Sequence, residues 1–128
     1  MPTLNDLRDQ AFANSTSKGF HDEPKSVGDD IALMHSELSE ALEDFRAGKR
    51  PTEVWYEVKK TGTTEVIVYD KQVSKEGFRN AKSMPLRKPC GIPSEMADVI
   101  IRVLDFCGKF DIDIEFSRER IFPAVCEF

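Results

Sequence analysis

The chain has 128 residues, 40% of them hydrophobic and 32% charged, with a formal net charge of −5. That length and balance suit one folded domain, 1–128, and exclude a disordered chain. The acidic charge argues against a nucleic-acid partner, which needs a basic face, and no apolar run reaches membrane-spanning length.

In chain order, residues 3–14 read as a short amphipathic helix. Thr3 caps it with Asp6 three residues on, and Leu4, Leu7, Ala11 and Phe12 form its stripe. A polar break, Asn14 to Gly19, and a loop, Phe20 to Pro24, follow. Ser26 is the N-cap of a second helix, roughly 27–47, with Asp29 and Asp30 in its first turn. Its apolar stripe is Val27, Ile31, Met34, Leu38, Leu42 and Phe45, and Gly48 and Pro51 mark its end.

Val54–Lys60 and Glu65–Tyr69 are rich in β-branched and aromatic residues, with a turn signal from Thr61 to Thr64 between them. The spacing predicts a β-hairpin, an excursion from a helical bundle. Residues 76–93 carry Gly77, Pro85, Pro89, Gly91 and Pro93 and read as loop. Ser94 caps another helix, roughly 94–110, whose apolar residues cover most of its circumference. It is expected to be the most buried helix. A last short helix is expected within 113–122. The fold class is therefore all-α, a helical bundle with a small β-hairpin between its two strongest helices and an insertion over about 54–92.

Two acidic motifs lie on those helices: Glu37-Leu-Ser-Glu40 and Glu95-Met-Ala-Asp98. At about 100° per residue, Glu37, Glu40 and Asp44 fall in one sector beside the apolar stripe. Glu95, Asp98, Arg102, Asp105 and Lys109 form the single polar strip of the later helix. Such a strip is, on spacing alone, more often a solvated face tied by pairs four residues apart, such as Asp98–Arg102. Two paired motifs on helices able to pack side by side favour a metal site instead. No His follows Glu37 or Glu95 by three residues, as it does in di-iron bundles. Cys90, Cys107 and Cys126 form no C-x-x-C pair, which argues against a zinc site, and the odd count fits a reducing, cytoplasmic setting. All-oxygen donors favour Mg²⁺, with Mn²⁺ as a substitute, and imply phosphoanhydride hydrolysis.

At Ile31–Glu43 and Gly91–Arg102 the chain resembles the MazG-like members of the all-α nucleoside triphosphate pyrophosphohydrolase superfamily, over roughly 1–48 and 89–113. The resemblance implies a homo-oligomeric helical bundle, dimer or tetramer. It also implies Mg²⁺-dependent hydrolysis of a nucleoside triphosphate, often a deoxynucleotide, to the monophosphate and pyrophosphate. Carried over by motif, Glu37, Glu40, Glu95 and Asp98 are the metal ligands, and Glu37 or Glu40 also serves the attacking water as a catalytic residue. Many relatives end in a phosphate-binding element with a His-Gly-Lys tail, which Phe116–Phe128 does not match. That departure keeps open an alternative, a non-catalytic nucleotide-binding or regulatory helical dimer.

Three further residues are candidates for substrate binding. His21 and Lys25, in the loop before the first motif, suit contact with a phosphate or base, or are simply loop residues. Trp55 suits stacking on a nucleobase, though Trp in a hairpin more often packs. His35 lies away from the Glu37 sector and reads as a packing or interface residue.

Overall fold

The computed structural model describes residues 1–60, 63–69 and 87–116, with the side chains of 58–60, 63–69 and 87–88 left aside. Three long helices and three strands make up most of the described chain, followed by a helical turn at 114–116: α1 Leu4–Ser17, α2 Val27–Arg46, β1 Val54–Lys60, β2 Thr63–Tyr69, β3 Arg87–Cys90 and α3 Ile92–Lys109. The chain forms two compact units, one from 1–34 with 100–128 and one from 35–99. The fold is mainly helical with a small sheet, as the hydrophobic periodicity predicted.

The first two helix starts follow from capping chemistry, whereas α3 begins at Ile92, two residues before the expected cap Ser94. Thr3 and Asp6 form a reciprocal capping box, in which each side chain bonds the other residue's backbone N–H. Ser26 and Asp29 repeat the arrangement ahead of α2, with distances of 3.0 and 3.1 Å. Gly48 adopts a φ of 84°, the left-handed conformation that ends a helix without Cβ strain. α1 runs on through the expected break to Ser17. Of the last expected helix, 113–116 lie within the described residues, Asp113 irregular and 114–116 helical.

The hairpin is larger than the sequence suggested. β1 pairs antiparallel with β2 over Val54↔Tyr69 to Lys60↔Thr63. It also pairs antiparallel with β3, over Trp55↔Cys90 to Val58↔Arg87. The sheet order is β2-β1-β3, so part of the expected 76–93 loop is an edge strand. An edge position is where a strand containing Pro89 is tolerated, because proline cannot donate to a ladder on both sides. Residues 76–86 of that loop, and the turn at 61–62, lie outside the described residues.

The helix faces depart from the expectation, with Val99, Leu104 and Phe106 of α3 no more than half-buried. α3 was expected to be the most buried helix, yet its only buried residue is Glu95. Ile100 is 60% exposed and Ile101 50%, while the polar strip Glu95, Asp98, Arg102, Asp105 and Lys109 is buried or half-buried. On α2 the buried residues are Glu37 and Ala41, while Leu38, Leu42 and Phe45 are exposed. Apolar periodicity located the stripes correctly but not the side on which this chain packs. Among the described residues the buried apolar side chains are Ala41, Trp55 and Tyr56.

Unit 1 is fastened by polar contacts. Lys109 Nζ lies 2.7 Å from Asp30 Oδ2, and Arg8 donates to the carbonyl of Ile112 at 2.8 Å. Gly108 brings α3 against α1, since a Cβ there would stand 2.5 Å from Phe12 Cβ. Burial pushes the Cys107 thiol up, so it stays protonated, a packed thiol rather than a nucleophile.

Bonds from Thr3, its backbone N–H first, hold the Asp6 carboxyl below its ordinary range, and Ser26 does the same for Asp29. Lowered folded-state values mean stability that is present above the ordinary carboxylate range and lost as pH falls through the folded values. The urea midpoint is therefore expected to fall on acidification below about pH 4. A Thr3→Ala, Ser26→Ala double variant should be less stable at neutral pH and lose less on acidification.

Candidate metal centre

The centre is built within the 35–99 unit, from its parts of α2 and α3 and from the sheet. Glu37 is the inward residue of α2, one turn before Ala41, whose small side chain shares the buried face. Glu95 stands in the first turn of α3, where the amide ends of a helix favour negative charge. Its backbone N–H bonds the carbonyl of Gly91 at 3.1 Å. Gly91 has a φ of 114°, and a Cβ there would lie 2.3 Å from the carbonyl oxygen of Glu53 and 3.1 Å from the Trp55 ring. Only glycine lets β3 turn into α3 so close to the start of β1. Ser94 Oγ ties the same corner to the carbonyl of Pro89 at 3.0 Å.

Glu37, Glu95 and Asp98 each offer a carboxylate oxygen, and these atoms lie within 4.8 Å of one another. Glu37 is 7% exposed and Glu95 4%, with Asp98 half-buried. The Oε2 atom of Glu95 is buried and accepts no hydrogen bond from a described group, although the residue does interact with its surroundings. Three like charges at this range repel, and poor solvation makes the repulsion larger than in water. A cation bound among them would offset both costs. The donors are all oxygens, so the group could hold a hard divalent ion of the Mg²⁺ or Mn²⁺ kind.

A cleft of about 360 Å³ opens beside the triad and includes Glu95 in its wall. α2 lines one part with Ser36, Ser39, Glu40, Glu43 and Asp44. The sheet lines another with Trp55, Glu57 and Cys90. Glu40 is exposed on the cleft wall and is not one of the three grouped carboxylates. Trp55 is 6% exposed, with Lys49 Nζ 4.6 Å from its ring centroid.

Of the other sequence candidates, His21 and Lys25 belong to the first unit. His21 Nε2 lies 2.9 Å from Asp105 Oδ1 and 3.0 Å from Ser15 Oγ, and its ring packs against Phe12. Lys25 Nζ donates to the carbonyl of Phe20 at 3.3 Å. Glu57 and Cys90 were missed by sequence reasoning. Strand alternation puts Glu57 on the face of Trp55, and that signal alone could have found it. Cys90 needed the unforeseen third strand. The chain matches no known protein family, curated protein or solved structure.

Two measurements follow from the crowding of charge. Mg²⁺ in excess should raise the melting temperature, by about 2.7 kcal/mol of stability at 100-fold above Kd. Asp98→Asn and Glu95→Gln should abolish that gain. Gly91→Ala should cost more than about 1 kcal/mol in denaturant titration, since its backbone conformation and the Glu53 carbonyl both oppose a side chain.

Proposed function

We propose that the chain is a Mg²⁺-dependent nucleotide pyrophosphohydrolase, cleaving a nucleoside triphosphate, with deoxynucleotides favoured, to the monophosphate and pyrophosphate. One observation carries this: Glu37, remote in sequence from Glu95 and Asp98, converges with them to within 4.8 Å. These are ligand positions implied by the MazG-like resemblance, and the oxygen-only donor set fits the hard ion it requires. The bound ion would neutralise polyphosphate oxygens and so ease attack at phosphorus.

The chain's own residues divide the remaining work. Glu37, Glu95 and Asp98 hold the site together. Glu40, one turn beyond Glu37 and exposed in the cleft, can orient a water and accept its proton. Trp55 gives the cleft an apolar floor for a base. His21 and Lys25 receive no substrate role here, because Asp105 and the Phe20 carbonyl already engage them.

The functional unit we propose is a homo-oligomer. Leu38, Leu42 and Phe45 on α2 and Ile100 and Ile101 on α3 are exposed. A second copy would cover these faces by closed symmetry. Sedimentation equilibrium at micromolar concentration is expected to give a dimer or tetramer. A monomer across that range would count against it.

The activity is tested with a panel of nucleoside and deoxynucleoside triphosphates and Mg²⁺, assayed for pyrophosphate. Release is expected, lost in a chelator and reduced about 100-fold or more by Glu40→Gln. Binding of metal and nucleotide without pyrophosphate would favour the alternative, a non-catalytic nucleotide-binding module, consistent with the unmatched residues Phe116–Phe128.

A further inference from the structure

The sheet wall of the cleft carries a charged group that neither metal binding nor proton transfer uses. Glu57 is absent from the three converging carboxylates, yet it lines the same cleft. It stands two residues from Trp55 on β1, so both side chains share one sheet face. Cys90, the cross-strand partner of Trp55, lines the cleft beside them. The result is an apolar floor with a half-buried carboxylate at its edge, in a cleft of about 360 Å³. That size admits a small ligand with part of its surface buried.

A carboxylate only accepts hydrogen bonds, and it accepts two at once. On the Watson–Crick edge of guanine, N1–H and the N2 amino group are adjacent donors that match both oxygens. Adenine and cytosine offer one amino group beside a ring-nitrogen lone pair. Uracil and thymine offer one N–H between two carbonyl oxygens. In each of these four bases a lone pair would face the carboxylate and be repelled. Resting on the pyrophosphohydrolase reading above, we propose that Glu57 is the base-selecting residue and that the preferred substrate is a guanine nucleotide. Pockets that read a base combine an apolar platform with hydrogen bonds to that edge, and Trp55 with Glu57 supplies both kinds of contact. A polar group built to meet a partner rejects bases that leave it unmatched.

The chain has one tryptophan, so Trp55 fluorescence reports on this wall without interference. The full chain is titrated in Mg²⁺ with non-hydrolysable α,β-methylene triphosphates of guanosine, adenosine, cytidine and uridine. Mg²⁺ alone serves as the baseline, and circular dichroism checks each variant's fold. The guanosine analogue is expected to bind about 10- to 100-fold more tightly than the others. Glu57→Gln should level that preference, while Glu57→Asp, which keeps the paired acceptors, should retain part of it. Equal binding of all four analogues, or a guanine preference that survives Glu57→Gln, overturns the proposal and leaves the pyrophosphohydrolase reading standing. No response to any analogue overturns both.

Discussion

Glu37, Glu95 and Asp98 bring three negative charges within 4.8 Å of each other, two of them on buried side chains. Mutual repulsion and lost hydration oppose that arrangement, the partners that each carboxylate has offset part of the cost, and the surrounding structure brings the three together. The sheet does so in steps. β1 pairs with β3, β3 ends at Cys90, and Gly91 turns the chain directly into α3. The turn is tight enough that a methyl group at Gly91 would meet the Glu53 carbonyl. Glu95 then falls in the first turn of α3, where the helix amides partly offset its charge, and Asp98 follows about one turn later. On the α2 side, Ala41 beside Glu37 keeps the buried face small.

The same constraint accounts for the inverted helices. Turning the acidic strip of α3 inward leaves Ile100, Ile101 and Val103 outward, and turning Glu37 inward on α2 leaves Leu38 and Leu42 outward. A helix on the surface of an apolar core ordinarily turns its apolar stripe inward. Polar function inside and apolar surface outside are therefore two consequences of one rotation of each helix about its axis.

The acidic strip of α3 also serves two kinds of contact along its length. Its N-terminal members, Glu95 and Asp98, gather with Glu37. Its C-terminal members act as clasps within the other unit, Asp105 with His21 and Ser15, and Lys109 with Asp30. Each clasp joins a helix to a distant stretch of chain and satisfies a half-buried polar group on both sides. Pairs four residues apart on α3 itself, the bland expectation for such a strip, are replaced at Asp105 and Lys109 by these longer-range partners.

Local chemistry was legible in the sequence. Thr3 with Asp6 and Ser26 with Asp29 marked helix starts, Gly48 marked a helix end, and β-branched runs marked the two hairpin strands. Glu37, Glu40, Glu95 and Asp98 could be named as a group because helical spacing keeps each motif on one face, and three of the four converge. The third strand could not be read, because four residues, Arg87 to Cys90 with a proline among them, carry no alternation. Nor could the inward side of α3, since apolar residues surround most of its circumference and leave periodicity without a direction. The sequence by itself determined where the helices lie and which carboxylates could act together. Only the tertiary structure decided that three of them meet while Glu40 stands apart on the cleft wall, and that Trp55, Glu57 and Cys90 face that cleft. The physical reason is that local spacing fixes faces within an element, whereas the pairing of β1 with β3 and the turn at Gly91 fix how separate elements meet.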